Sequence, residues 1–171
     1  MTVPTLRTDR VLLRGFRQED AQVLAATIND YDISQWLTHV PYPYAVTDAD
    51  WFIGENLAGR FHTWAIWQQG RLIGAVGMDG ELGYWLAPQA WGQGIATEAA
   101  SAVVSHHFET TDAAQIRSSH FVENKASCNV LTKLGFVDVG AHVHHSKARA
   151  ADVAGRSLEL TRDRWRELQN G

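Results

Sequence analysis

The sequence predicts an α+β fold of one domain, with helices packed over a single mixed, mostly antiparallel central sheet. The stretch from Thr63 to Leu86 divides into three short strands, Thr63–Gln68, Arg71–Met78 and Glu81–Leu86, at Gln69-Gly70 and Asp79-Gly80. Both junctions accept positive φ at low cost and so close tight hairpins, which makes this stretch an antiparallel meander. After Pro88 a glycine turn leads into a helix with the apolar face Ala96, Ala99, Ala100, Val103 and Val104, and then into a strand from Gln115 to Val122. Strand, turn, helix and strand in that order imply a parallel crossover. No linker, repeat or low-complexity tract interrupts the 171 residues, so residues 1–171 read as one domain.

The remaining elements follow in chain order. Val11, Leu12 and Leu13 form a short apolar strand bounded by charge, and Gln18 to Ile28 shows helical spacing at Ala21, Leu24, Ala25 and Ile28. An aromatic, proline-containing connector from Tyr31 to Tyr44 precedes a second helix carrying Trp51, Phe52 and Leu57, with Thr47 or Asp48 as its cap. Asn124 caps a short helix with Val130, Leu131 and Leu134 on one side, and Gly135 stands where a left-handed residue ends it. Phe136 begins another strand, a last strand runs around Ser157 to Leu160, and a helix from Arg162 to Gln169 closes the order.

Composition excludes several classes. Apolar residues make up 45% and charged residues 20%, ordinary globular usage, and no apolar run approaches the roughly 20 residues of a membrane span. Met1 to Arg10 has no apolar signal-peptide core, which points to a cytoplasmic protein with no membrane partner. Cys128 is the only cysteine, so neither an internal disulfide nor a cysteine-based zinc site is available. The net charge of -4 and scattered Arg and Lys lack the basic stripe of a nucleic-acid binder and favour a cationic substrate.

Trp91-Gly92-Gln93-Gly94-Ile95-Ala96-Thr97 joins a strand to a helix N-terminus. Small residues let the backbone approach a ligand, the first helical N–H groups lack internal partners, and the helix dipole adds about half a positive charge, so the turn suits a pyrophosphate. A nicotinamide-dinucleotide fingerprint needs a third glycine where Thr97 stands, and a P-loop needs Gly-Lys-Ser or Gly-Lys-Thr, leaving coenzyme A as the ligand. The plain alternative is a glycine turn capped by Thr97.

Glu81-Leu-Gly-Tyr84-Trp85-Leu86-Ala-Pro88 followed by Trp91-Gly-Gln-Gly94-Ile-Ala96-Thr97-Glu98 resembles the coenzyme A motif of GNAT-family N-acetyltransferases, in particular their Rim-like branch. Asn124-Lys-Ala-Ser127 through Leu134-Gly135-Phe136 resembles that branch's second motif, and Arg10-Val-Leu-Leu-Arg14 and Leu160-Thr-Arg-Asp-Arg-Trp165 resemble its two ends. The resemblance implies a GNAT-type sheet with helices on both faces. It also implies acetyl-coenzyme A as co-substrate, held by Leu86, Trp91, Gly92, Gln93, Gly94, Ile95, Ala96, Thr97, Asn124 and Ser127, with no metal, and acetyl transfer to an amine by direct attack. The chain departs from the family pattern at Trp91, where Gln or Arg is usual, and in the short Asp79-Gly80 hairpin. A catalytically inactive acyl-coenzyme A sensor is the alternative function.

Acetyl transfer needs a neutral amine. An α-amine near pKa 8 costs roughly 1.4 kcal/mol to deprotonate at pH 7, and a lysine-like amine near 10.4 costs about 4.6, so a base matters more for the second. Glu81 is the candidate base through the family resemblance, with a solvated strand-end charge as the alternative. Glu98 in a helix's first turn is already explained by the dipole. Ser127 is implied to assist the departing thiolate, against an N-cap at Asn124 with an ordinary serine three residues on. The resemblance also places the oxyanion donor near Leu86, where the family's fourth strand bends from the fifth. Tyr84, Trp36 and Trp51 are candidates for the acceptor pocket. His142 and His144 share a strand face, but with His145 they lack a carboxylate at metal-ligand spacing. The acceptor is a small-molecule or peptide amine, and the assembly a monomer or homodimer.

Overall fold

The computed structural model describes residues 2–171. Its strands are β1 (Leu6–Arg7), β2 (Leu12–Gly15), β3 (Thr63–Gln68), β4 (Arg71–Met78), β5 (Glu81–Leu86), β6 (Gln115–Phe121), β7 (Val137–Ser146) and β8 (Ala151–Thr161). The α-helices are α1 (Ala21–Ile28), α2 (Tyr31–Ser34), α3 (Val46–Leu57), α4 (Ile95–Thr110), α5 (Lys125–Lys133) and α6 (Arg162–Asn170). All the strands join one sheet in the order β1-β2-β3-β4-β5-β6-β8-β7. Every neighbouring pair is antiparallel except β5 and β6, the pair joined through α4.

The sheet separates two apolar layers. On one face Ile95, Ala99, Ala100, Val103, Val104 and Phe108 of α4 and Leu131 of α5 pack on Leu13, Ile66, Val76, Leu82, Ile116 and Leu160. On the other, Leu24 and Ile28 of α1, Ile33 of α2 and Ala49 and Ile53 of α3 pack on Ala65, Leu72 and Ala75. Alternation along each strand sends successive side chains to opposite layers, so one β5 strand serves both: Leu82 and Leu86 face α4, while Trp85 packs toward α1 and α3. Arg14 on β2 bonds both carboxylate oxygens of Asp20, at 2.8 and 3.1 Å, and stacks its guanidinium 4.4 Å from the Trp67 ring centre. Asp20 also accepts the Arg17 backbone N–H, and these bonds hold its carboxyl low although burial pushes the other way.

The meander strands fall where the turn chemistry puts them, and Asn124 caps α5 by accepting the Ser127 N–H. Three expectations are corrected. Neither Thr47 nor Asp48 is the N-cap of α3: Ala45 is, and Asp48 reaches back to accept the Ala45 N–H at 2.8 Å, a side-chain bond an alanine cap cannot make for itself. The connector after Tyr31 opens with the short helix α2, capped by Asp30. The C-terminal strands are far longer than Ser157 to Leu160 suggests, because β7 and β8 form a hairpin paired from Val137 opposite Glu159 to Ser146 opposite Ala151.

Candidate active site

The two parallel strands part almost as soon as they meet. Only Glu81 and Leu82 of β5 pair with β6, opposite Arg117 and Ser118, and the Ser118 hydroxyl donates to the Leu82 carbonyl at 2.8 Å where the pairing stops. From Gly83 to Leu86, β5 keeps its partner only on the β4 side. Gly74 makes that close approach possible: the Trp85 carbonyl presses against the place where a Cβ would stand, with a Leu86 methyl carbon 2.8 Å from it. The result is a fork in the sheet, with an unpaired strand edge able to hydrogen-bond an extended amide-containing arm.

At the open end of the fork lies the glycine turn. Gly92 and Gly94 have φ of 73° and 76°, left-handed values that a side chain rarely adopts. Gly94 is the N-cap of α4 and no side chain caps the helix, so the expected alternative of a Thr97 cap is not what forms, and the first amide groups have no side-chain partner. Arg10 braces the turn from behind, donating to the Gln93 carbonyl at 2.7 Å and to Glu98 at 2.7 Å. Thr8 and the Arg10 backbone N–H also bond Glu98, and together these bonds outweigh burial and lower its pKa, which commits Glu98 to structure. Trp91 gives its indole N–H to the Leu86 carbonyl at 2.8 Å and so ties the turn to the end of β5.

Across the fork, α5 starts with Asn124 and Ser127. The Asn124 side chain accepts the Ser127 N–H at 3.1 Å, and the Ser127 hydroxyl stands 2.9 Å from the Tyr84 hydroxyl of β5. Burial is the main cause that pushes the Tyr84 phenol up to about 12, so it stays protonated and available as a donor at neutral pH. Tyr84, expected from sequence at the acceptor pocket, is joined to Ser127 on the α4 and α5 face.

Glu81 lies at the closed end of the fork, exposed, and alternation puts it on the opposite face with Trp85. Trp36 borders that face through Arg149, whose guanidinium carbon is 5.1 Å from the Trp36 ring centre and 5.2 Å from that of Phe121. Arg149 Nε donates to the Gln35 carbonyl at 2.8 Å and the Lys147 N–H to the Thr38 carbonyl at 3.0 Å, so the β7–β8 turn is fastened to the segment after α2. Sequence reasoning missed Arg149, since Gln35 and Trp36 are more than 100 residues away. Trp51 is 61% exposed on α3 with its ring centre 5.8 Å from that of Phe61, and the structure does not bring it to Tyr84 or Ser127. Among the described residues no group of three or more His, Cys, Asp or Glu is arranged to hold a metal ion, and no helix is long and apolar enough to cross a membrane.

A parallel strand pair that forks, followed by an uncapped helix start behind two left-handed glycines, defines an acyl-coenzyme A-dependent transferase. The pattern of the acetyltransferase (GNAT) domain family matches residues 10–137, and the chain belongs to that family. It is 28% identical over 150 residues to an uncharacterized N-acetyltransferase, YoaA, of Bacillus subtilis strain 168, covering 80% of this chain and 85% of that one. In fold it is similar to Mycobacterium smegmatis RimJ, solved with a coenzyme A disulfide, with a TM-score of 0.76, 23% identity, and 90% and 82% of the two chains covered. The microcin C7 self-immunity acetyltransferase MccE, solved with acetyl-coenzyme A and AMP, aligns with a TM-score of 0.78 at 17% identity over 90% of this chain and 93% of that one. The protein is an acetyl-coenzyme A-dependent acetyltransferase. The cradle fits that co-substrate: an ideal Cβ on Gly92 meets nothing within 4 Å, and one on Gly94 meets only Arg10, so the space before the helix start is open.

Proposed function

We propose that the chain transfers the acetyl group of acetyl-coenzyme A to a primary amine, an N-terminal α-amine or a small-molecule amine, which attacks directly within a ternary complex. The observation that carries this reading is the fork, which leaves Tyr84 and Ser127 on one face and Glu81 on the other, so that a thioester and an amine have separate approaches to one opening. The co-substrate supplies an activated acyl group. The residues from Trp91 to Thr97 bind its pyrophosphate through backbone amides, the unpaired edge up to Leu86 holds its arm and polarises the carbonyl, and Asn124 positions Ser127. The Ser127 hydroxyl, with Tyr84 behind it, stabilises the departing sulfur. Glu81 supplies negative charge on the acceptor side, drawing in an ammonium group and favouring loss of its proton, in keeping with the acidic net charge.

Initial-rate assays with acetyl-coenzyme A against N-terminal peptides, polyamines, aminoglycosides and amino acids test this. At least one amine should be acetylated with a ternary-complex pattern, and Cys128→Ala should stay active. Ping-pong kinetics with an acetylated Cys128 would overturn direct attack, and coenzyme binding with no acetylation of any amine would overturn the transferase reading.

A further inference from the structure

The acceptor side of the fork holds a cation whose hydrogen-bonding capacity the fold leaves mostly unused. Ile116 packs under α4, so by alternation Arg117, Ser119 and Phe121 of β6 line the opposite face. Arg117 stands opposite Glu81 where the two strands still pair. Four residues further along β6, at the open end, the Arg149 guanidinium carbon lies 5.2 Å from the ring centre of Phe121 and 5.1 Å from that of Trp36.

The backbone around Arg149 is fixed before any ligand arrives. Ser146, fully buried, accepts the Arg149 N–H at 3.2 Å through its hydroxyl and donates to the Leu37 carbonyl at 3.4 Å. Nε itself donates to the Gln35 carbonyl at 2.8 Å. Among the described residues neither terminal nitrogen makes a hydrogen bond: the Glu123 carboxylate stops 3.6 Å from Nη1, beyond bonding range, on a side chain that is 69% exposed. A guanidinium has five N–H donors in one plane, in a fork that matches a carboxylate or a phosphate. Nε uses one of them here and four are free. Two aromatic rings and a fixed turn already hold the group, so little further ordering is needed when an anion binds.

We propose that Arg149 binds an anionic group of the acceptor, so that the preferred acceptors are primary amines carrying a carboxylate or phosphate several bonds from the nitrogen. This rests on the amine-acetyltransferase reading of the same site and names its substrate class. The spacing suits such a molecule. From Arg117, beside Glu81, to Phe121, beneath Arg149, the strand advances about 13 Å at about 3.3 Å per residue. An amine midway between them, in the opening, has Arg149 about 6–7 Å along the strand. A polyamine brings a second cation to that place and is repelled. The net charge of -4 draws in amines without distinction, and the fixed guanidinium sorts them.

Matched acceptors test this: alanylglutamate against alanylglutaminamide, and phosphoethanolamine against ethanolamine, with spermidine as the cationic probe. The wild type should prefer the anionic member of at least one pair by about 10-fold to 100-fold in kcat/KM, and which pair shows it separates carboxylate from phosphate. Spermidine should be the poorest acceptor. Arg149→Met keeps an apolar stem on Phe121 and Trp36 and should bring that ratio close to one, chiefly through the KM of the anionic probe. Arg149→Lys should restore part of it. Glu123→Gln, on the exposed surface, removes the competing carboxylate and should raise the ratio by roughly threefold; it serves alone if the methionine variant does not fold. An arginine that only clamps the turn would lower both members of a pair alike, so a ratio unchanged by these variants would overturn the proposal, as would equal use of both members by the wild type. Failure of the wild type on every amine, with coenzyme bound, would instead overturn the transferase reading.

Discussion

The Tyr84 and Ser127 hydroxyls meet at 2.9 Å across the mouth of the fork, joining the middle of β5 to the first turn of α5. Ser127 brings a rotating hydroxyl to a helix N-terminus, where negative charge is favoured, and Tyr84 fixes where that hydroxyl points. Ser127→Ala should lower kcat by about 10²-fold with little change in coenzyme A affinity, and Tyr84→Phe by about tenfold, which is about 1.4 kcal/mol. The double variant should be no worse than Ser127→Ala alone, because the two act as a unit. With the phenol pushed up to about 12, the shape of the pH profile from about 6 to 9 should survive Tyr84→Phe. Additive losses would separate the two residues, and an equal loss of coenzyme affinity would make Ser127 a binding residue only.

The cradle works through backbone, which makes its side chains unequal. At Gly94, φ of 76° makes any β-branched residue costly by roughly 1–2 kcal/mol, and the added carbons come against the Arg10 guanidinium that braces the turn. Gly94→Val should fold and lose coenzyme A affinity severely by calorimetry. Trp91→Gln loses one indole hydrogen bond to Leu86 and should lose less than about tenfold. Unchanged affinity in folded Gly94→Val would remove the cradle assignment.

Glu81→Gln keeps the strand and removes the charge. Its kcat should fall by about 10²-fold at pH 7, and the loss should shrink as pH rises toward the acceptor's own pKa, since solution then supplies neutral amine. Recovery comes earlier for an α-amine, near 8, than for a lysine-like amine, near 10.4, so the recovery curve reports the acceptor class. Wild-type rates across about pH 6 to 9 would reduce Glu81 to a strand-end charge.

Away from the site, Asp20 and Arg14 are a well-shielded pair whose side chains are 5% and 16% exposed. Removing one partner strands the other charge, so Asp20→Ala should destabilise by about 3 kcal/mol in urea titrations. Because the folded Asp20 pKa is lowered, its contribution is complete above the unfolded value of about 3.9 and disappears as pH falls through the folded value. The gap between wild type and variant should therefore be constant from about pH 5 to 7 and narrow below about pH 4. A gap independent of pH would assign the loss to packing.

Legibility in the sequence followed the range of each interaction. Gln69-Gly70 and Asp79-Gly80 place the meander because a two-residue turn is a local decision, and Asn124 announces α5 because its cap bond spans three residues. The glycine turn was readable for the same reason. The start of β7 after Phe136 was readable but its length was not: Val137, Val139, Ala141 and Val143 alternate with polar or glycine positions, yet all four are exposed, and the extent of the strand comes from pairing with β8. The helix-like spacing around Thr47 and Asp48 was right while the cap was wrong, since Asp48 bonds backward from the third helical position. Tyr84 and Ser127 lie 43 residues apart, and only the fork brings them together. Gly74 gives no sign in sequence that it admits the Trp85 carbonyl.

The fastening of Arg149 to Gln35 and of Lys147 to Thr38 also sets an order of assembly. The wall of the acceptor side is built from two segments separated by more than 100 residues, and contacts of such span form late, after the loop entropy between them has been overcome. The coenzyme turn and its helix are made from neighbours in sequence, and only the Arg10 brace on Gln93, 83 residues away, is long in range. The two halves of the catalytic task thus mature separately. Under the proposed function, changes to the β7–β8 hairpin would alter acceptor choice while leaving the coenzyme half as it was.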